Sequence, residues 1–224
     1  MTSVHAPADP QLFEHAPPRK HVLLLSCMDQ RLLDDTVAFM DSYNLANRYD
    51  QVVFAGAALG VLQLSSPSGS GTGSALWSDV FLHHLQVAID VLKRPIRDIF
   101  ILEHRDCGAY EHFHPTHHEP YTADVEGQQL ERRHHCEQAF KLAARIREYC
   151  QQQQQVSVQA AADADCDAQR MHCRQRADAW HGIQIKCFLM DLKGRVEHLS
   201  EPASAAGKAG RRPRRRAGKA SGKR

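Results

Sequence analysis

The sequence predicts a single α/β domain with a mainly parallel central sheet flanked by helices. Two observations carry that reading. Four short runs rich in Val, Ile, Leu and Phe, at His21–Ser26, Gln51–Phe54, Asp98–Glu103 and Ile183–Met190, read as strands, and the segments between them change to helical spacing. Strands alternating with helices imply βαβ units, hence parallel pairing. The first three runs are almost uniformly apolar, as strands covered on both faces are. With 224 residues, 42% hydrophobic and 24% charged, the chain suffices for one domain with a sizeable core.

Taken in order, residues 1–19 form an N-terminal arm, 20–200 the domain, and 201–224 a basic tail expected to be disordered. After the first strand, Leu33, Val37 and Met40 mark a short helix. In Leu76–Leu92 the positions Trp77, Val80, Phe81, Leu85, Ala88, Ile89 and Leu92 follow i, i+3, i+4 spacing, with Trp77 and Phe81 read as core. The stretch SSPSGSGTGS (65–74) is a loop by composition and lacks the Lys and Ser/Thr ending of a phosphate loop. A long polar helix runs from about Val125 to Cys150, and the Gln- and Ala-rich stretch of about 151–178 reads as a surface insertion. The last strand turns at Lys193-Gly194 into a second short one.

Charge is unevenly placed. Residues 202–224 hold nine of the 28 Lys and Arg and no acid, which leaves 19 basic against 26 acidic residues elsewhere, a net of −7. An acidic body thus carries a basic tail able to contact an acidic partner. The tail lacks the aromatic residues of a base-stacking surface. The first twenty residues have no apolar signal block, and no apolar run approaches the ~20 residues of a membrane span. The expectation is a cytoplasmic protein without a membrane segment, whose seven cysteines are reduced rather than bridged.

Two strand ends carry chemistry. In VLLLSCMDQR the apolar run stops at Ser26, and Cys27, Asp29 and Arg31 follow at every second position. In IFILEHRDCGAY, His104 and Cys107 lie three apart where the third strand gives way to a turn. The carboxyl ends of neighbouring parallel strands form the crevice where ligands bind, so all three metal-ligand types share one rim. Two thiolates and an imidazole with the fourth position open are the donor set of a catalytic zinc, one per chain. Either piece alone is weak, since a lone Cys at a strand end is usually a small core residue. Their coincidence at matching strand ends is not.

At these residues the chain resembles the β-class carbonic anhydrases. The C-x-D-x-R motif stands as Cys27-Met28-Asp29-Gln30-Arg31 and the H-x-x-C motif as His104-Arg105-Asp106-Cys107, followed by Gly108. Ala55-Gly56 falls where that family has an Ala-Gly pair, and His181-Gly182 with Asp191 and Gly194 is similar to its late strand and hairpin. The resemblance spans roughly residues 20–200. It implies that Cys27, His104 and Cys107 are zinc ligands, that Asp29 and Arg31 form the catalytic dyad, and that the active unit is a homodimer or a multiple of it. The implied reaction is the reversible hydration of CO2 to bicarbonate. Zinc lowers the pKa of water to about 7 and so supplies hydroxide at neutral pH. Asp29 orients it and Arg31 holds Asp29 in place. Hydrolysis of carbonyl sulfide or carbon disulfide on the same scaffold is the nearest alternative, and a catalytically silent zinc protein is another.

The chain also departs from that pattern. Val53-Phe54 replaces the Arg-Asn that precedes the Ala-Gly pair in many members, which speaks against the regulatory bicarbonate pocket built with that Arg. Glu103 replaces a Gly or His before the metal-binding His. Of the loop histidines His112, His114, His117 and His118, with His134 and His135 beyond, solvated side chains are the expected reading and a proton shuttle the alternative. Cys166, His172 and Cys173 near Asp163, Asp165 and Asp167 lack the pattern of a calcium loop and are set aside as a second metal site.

Overall fold

The computed structural model describes residues 21–63 and 76–201. The arm, the 65–74 loop and the basic tail from residue 202 onward therefore lie outside the described residues. Element order is β1 (His21–Ser26), a 3₁₀ turn (Gln30–Leu32), α1 (Leu33–Ser42), β2 (Tyr49–Val53), α2 (Ala57–Gln63), α3 (Leu76–Gln86), a π-helical turn (Val87–Val91), β3 (Ile96–His104), α4 (Gly108–Phe113), α5 (Val125–Ala162), α6 (Asp167–Trp180), β4 (Gln184–Met190) and β5 (Val196–His198).

The α/β expectation holds. The strands form one sheet in the order β2-β1-β3-β4-β5. β1 pairs in parallel with β2 and β3, β3 in parallel with β4, and only β5 runs antiparallel. Burial on both faces explains why β1 and β3 read as continuous apolar runs. Leu23, Leu25, Ile99 and Ile101 face a core with Ala57, Phe81, Leu85, Ala139, Leu142 and Ile146 of α2, α3 and α5. Val22, Leu24, Phe100 and Leu102 face the opposite side with Leu32, Phe39 and Met40 around α1.

Two expectations are corrected. The inward stripe at α1 is Leu32, Thr36, Phe39 and Met40, whereas Leu33 is 61% and Val37 49% exposed. Of the expected stripe, Met40 alone faces the sheet. The 3₁₀ turn sets that phase: the Asp29 carboxylate accepts from the Arg31 backbone N–H at 2.9 Å, so Leu32 already points at the sheet when the α-helix begins. On α3, Phe81 is fully buried, while Trp77 is half-buried against Phe54, ring centroids 5.2 Å apart.

The polar stretch 151–178 falls in a helical hairpin. α5 runs unbroken through QQQQQ to Ala162, and α6 returns along it. Gln and Ala are good helix formers, and the small residues Ser157, Ala161, Ala164 and Ala177 are buried where the helices meet. Arg176 fastens the hairpin, donating to Gln153 Oε1 (2.8 Å), Ser157 Oγ (2.9 Å) and Asp90 Oδ2 (2.7 and 2.9 Å). Trp180 Nε1 donates to Asp90 Oδ1 at 2.9 Å, joining the hairpin to the π-helical turn. Among the described residues no helix is long and apolar enough to cross a membrane.

Candidate metal centre

The adjacent ends of β1 and β3 bring the two motifs together. Ser26, the last residue of β1, pairs with Leu102 of β3, so Cys27 and His104 leave neighbouring strands at the same edge. Beyond His104 the Arg105 N–H donates to the Met190 carbonyl at 2.9 Å. Asp106 then takes a left-handed conformation, φ 55°, which Asp adopts more readily than most residues. That turn places Cys107 just before α4, where its carbonyl accepts from the Tyr110 N–H at 2.9 Å. The donor atoms of Cys27, His104 and Cys107 lie within 4.8 Å of one another, and among the described residues this is the one such group of His, Cys and carboxylate side chains. The stretch around Cys166 and Cys173 therefore forms none there, and all seven cysteines are free thiols.

The donor set suits a cation. His104 Nδ1 is 2.9 Å from the Arg105 carbonyl, a contact that needs the proton on Nδ1 and leaves the Nε2 lone pair free. Nε2 is buried and has no hydrogen-bond partner. The Cys27 and Cys107 Sγ atoms stand 3.9 Å apart. The hydrogen bond from Cys107 lowers the Cys27 thiol to about 4, against the opposing effect of burial. Cys107 is pushed up in turn by its contact with Cys27 and by burial. One thiolate at the other's expense is what two close sulfurs do without a cation, and a divalent ion lets both ionise. Cys27 Sγ also accepts from the Gly56 N–H at 3.2 Å. Gly56 has φ 72°, and a Cβ there would lie 2.9 Å from Ala109 Cβ, so the Ala55-Gly56 pair lets the backbone approach the sulfur.

Asp29 and Arg31 stand beside this group. Arg31 Nη2 and Nε reach Asp29 Oδ2 and Oδ1 at 2.6 and 3.0 Å, and the Arg31 hydrogen bonds hold the Asp29 carboxyl down at about 2. Asp29 Oδ2 lies 3.9 Å from His104 Nε2. The adjoining cavity, about 10 Å³, is bordered by Leu32, Leu102 and Met190 as well as Cys27, Asp29 and His104.

Glu103 turns away from the donor atoms. Its Oε1 accepts from the Ala58 N–H at 2.9 Å and its Oε2 lies 3.0 Å from His135 Nδ1, with both residues buried. It anchors α2 and α5 behind the site. The reading of the histidines as solvated fails at His114, which is 2% exposed and stacks on His134 with ring centroids 4.1 Å apart. Tyr121 Oη meets His134 Nδ1 at 2.8 Å. Burial, with neighbouring histidines, lowers His134 to about 4. Such a ring is uncharged at neutral pH and ill suited to carry protons there. Sequence reasoning missed Asp106, in the turn between His104 and Cys107, and Glu131, whose carboxylate grips that turn from α5. Polar residues on the inner face of a largely polar helix leave no hydropathy signal.

No family model matches the chain. An uncharacterized protein of Rickettsia bellii is 30% identical over 89 residues, 40% of this chain and 48% of that protein. A second, from Rickettsia conorii, is 31% identical over 91 residues, 40% of this chain and 42% of its own length. The match thus spans less than half of each relative. Among solved structures, a β-carbonic anhydrase of Aspergillus fumigatus is similar over 83% of this chain and 77% of its own, with 11% identity and a TM-score of 0.37. A tetrameric β-carbonic anhydrase of Sordaria macrospora is similar over 80% of each chain, with 11% identity and a TM-score of 0.34. At scores this low, any reading of the chemistry rests on the side chains themselves.

Proposed function

We propose that the chain is a zinc-dependent carbonic anhydrase that interconverts CO2 and bicarbonate, with Cys27, His104 and Cys107 as metal ligands and Asp29 and Arg31 as the dyad. The observation that carries this is an Asp29 carboxyl group, gripped by Arg31, 3.9 Å from the unpartnered Nε2 of His104. When bound, zinc would acidify water and supply the nucleophile at neutral pH. The residues do the rest. Asp29 accepts a hydrogen bond from the incoming water and fixes which lone pair faces the substrate. Arg31 stays charged, keeps Asp29 ionised and leaves it no freedom to turn. Leu32, Leu102 and Met190 place apolar surface beside the donor atoms, at a cavity with room for about one water. The C-x-D-x-R and H-x-x-C motifs, similar to those of the β-class enzymes, support the same assignment.

A structural zinc site would need a fourth protein ligand, and Asp29 is already engaged by Arg31. The test is stopped-flow CO2 hydration by metal-analysed protein, with carbonyl sulfide and carbon disulfide assayed in parallel. One zinc per chain with hydration of CO2 supports the proposal. Turnover of the sulfur compounds alone moves the assignment to a hydrolase on this scaffold, and zinc without turnover of any of the three overturns an enzymatic role. We propose a homodimer, or a multiple of it, as the active unit, to be checked by light scattering, and cytoplasmic residence in keeping with the free thiols.

A further inference from the structure

Arg31 has a second anchor. Its Nη1 donates to Asp106 Oδ2 at 2.8 Å and its Nη2 to the Asp106 carbonyl at 3.0 Å. An exposed ion pair contributes little by itself, and the Arg31 and Asp106 side chains are 47% and 56% accessible. This one is held from behind. The Asp106 N–H donates to Glu131 Oε1 at 2.6 Å, and Glu131, on α5, is only 4% exposed. Glu131 Oε2 accepts from Arg105 Nη1 at 2.8 Å, and the same nitrogen donates to the Gln128 carbonyl at 3.1 Å. A second carboxylate, Glu197 of β5, lies 3.6 Å from Arg105 Nη2. The buried Glu131 carboxylate therefore grips both residues between His104 and Cys107, one by its side chain and one by its backbone.

We infer that Glu131 is a positioning residue for the proposed centre: through the Asp106 N–H it fixes the left-handed turn from which Asp106 holds Arg31, and so aims the Asp29 carboxylate. This rests on the carbonic anhydrase reading for its catalytic consequence, although not for its geometry. A left-handed Asp is less stable than a helical or extended one unless its surroundings hold it, and the short bond to a buried carboxylate does so. If the turn relaxes, the Asp106 carboxylate and carbonyl leave Arg31 together. Arg31 then keeps only its contacts to a residue two positions away on the same segment, which do not fix that segment relative to His104.

A double-mutant cycle tests the route. Asp106→Gly accommodates the left-handed backbone and removes the carboxylate, and Glu131→Ala removes the grip. In zinc-loaded protein each lowers kcat for CO2 hydration about tenfold with KM nearly unchanged, the size usual for partners that orient a metal site. Asp106→Asn keeps an acceptor and a tolerance for this conformation, and it recovers most of the loss. Because Glu131 acts through Asp106, Glu131→Ala costs clearly less in the Asp106→Gly background than alone, the remainder being what the residue-106 carbonyl still contributes to Arg31. Additive losses overturn the inference. Should Glu131→Ala not fold, Glu131→Gln takes its place, with a smaller loss that again shrinks beside Asp106→Gly. A second readout needs no activity. In the metal-free chain, 15N NMR of the Arg31 side chain reports rotation about Cζ–Nε, which quickens in Asp106→Gly and in the Glu131 variant. Unchanged rotation in the Glu131 variant overturns the inference. If the unmodified chain binds zinc and hydrates nothing, the proposed function fails and the Arg31 comparison still decides the positioning role.

Discussion

The Arg31 guanidinium closes on Asp29 side-on, with Nη2 2.6 Å from Oδ2 and Nε 3.0 Å from Oδ1, and the Arg31 backbone N–H adds a third donor at 2.9 Å. One carboxylate is thus both the cap of the 3₁₀ turn and the acceptor beside the proposed metal ligands. Asp29→Asn or Arg31→Ala is expected to leave zinc content intact and to lower CO2 hydration by about two orders of magnitude or more, through a misoriented nucleophile. Near-normal turnover with full zinc in either variant refutes the dyad.

The same grip sets a pH limit. Hydrogen bonds from Arg31 depress the Asp29 carboxyl to about 2, below the usual carboxylate range. For a depressed carboxyl the stabilisation is fully present above the unfolded value and is lost as pH falls through the folded one. Asp29 therefore remains ionised until well below pH 3. In Arg31→Ala its titration, followed by 13C NMR, moves up toward the usual carboxylate range. An unmoved Asp29 signal contradicts Arg31 as the cause.

The metal prediction concerns both sulfurs. Cys27→Ser or Cys107→Ser removes a thiolate from a three-ligand set, and zinc content is expected to fall from about one per chain to near zero. Binding of zinc to the unmodified protein releases protons as the second thiol ionises, which calorimetry in buffers of different ionisation enthalpy reads directly. Full zinc in the Cys27→Ser protein shows that the ion sits elsewhere.

What was legible beforehand follows from what covers each element. β1 and β3 are buried on both faces, so their apolar runs and abrupt ends at Ser26 and His104 stood out, and with them Cys27, Asp29, Arg31 and Cys107. The phase of α1 was hidden because Leu33 and Val37 look as apolar as Leu32 and Phe39, and only the Asp29-capped turn decides which stripe faces the sheet. The α5–α6 hairpin was hidden for the opposite reason, since apart from Trp180 it is held by Arg176, Asp90 and small residues rather than by large apolar ones. Glu131 and His135 belong to that class as well: buried, polar and four residues apart on one face of α5.

Removal of residues 202–224 takes away nine of 28 basic residues and leaves Cys27, Asp29, Arg31, His104 and Cys107 in place. Zinc content is expected to be unchanged and hydration to stay within about twofold. Any affinity of the full chain for an acidic polymer is expected to weaken between low and physiological salt and to vanish in the truncated chain. Loss of zinc on truncation contradicts a site independent of the tail.

The hairpin prediction turns on Asp90, which accepts from Arg176 at 2.7 and 2.9 Å and from Trp180 Nε1 at 2.9 Å. Asp90→Ala leaves the Trp180 indole N–H, on a residue 1% exposed, without its partner and strips Arg176 of its counter-charge. An orphaned buried donor together with a broken charged hydrogen bond costs about 2 to 3 kcal/mol. The expected signature is a lower urea midpoint with an unchanged m-value, because the folded and unfolded states expose the same surface as before. The proposed metal site lies at the other end of the strands from this contact, so zinc content and hydration per folded chain should not change. A fall in m-value instead would mean that α6 has come away from α5 in the folded state, making the hairpin a separately melting unit rather than part of the cooperative core.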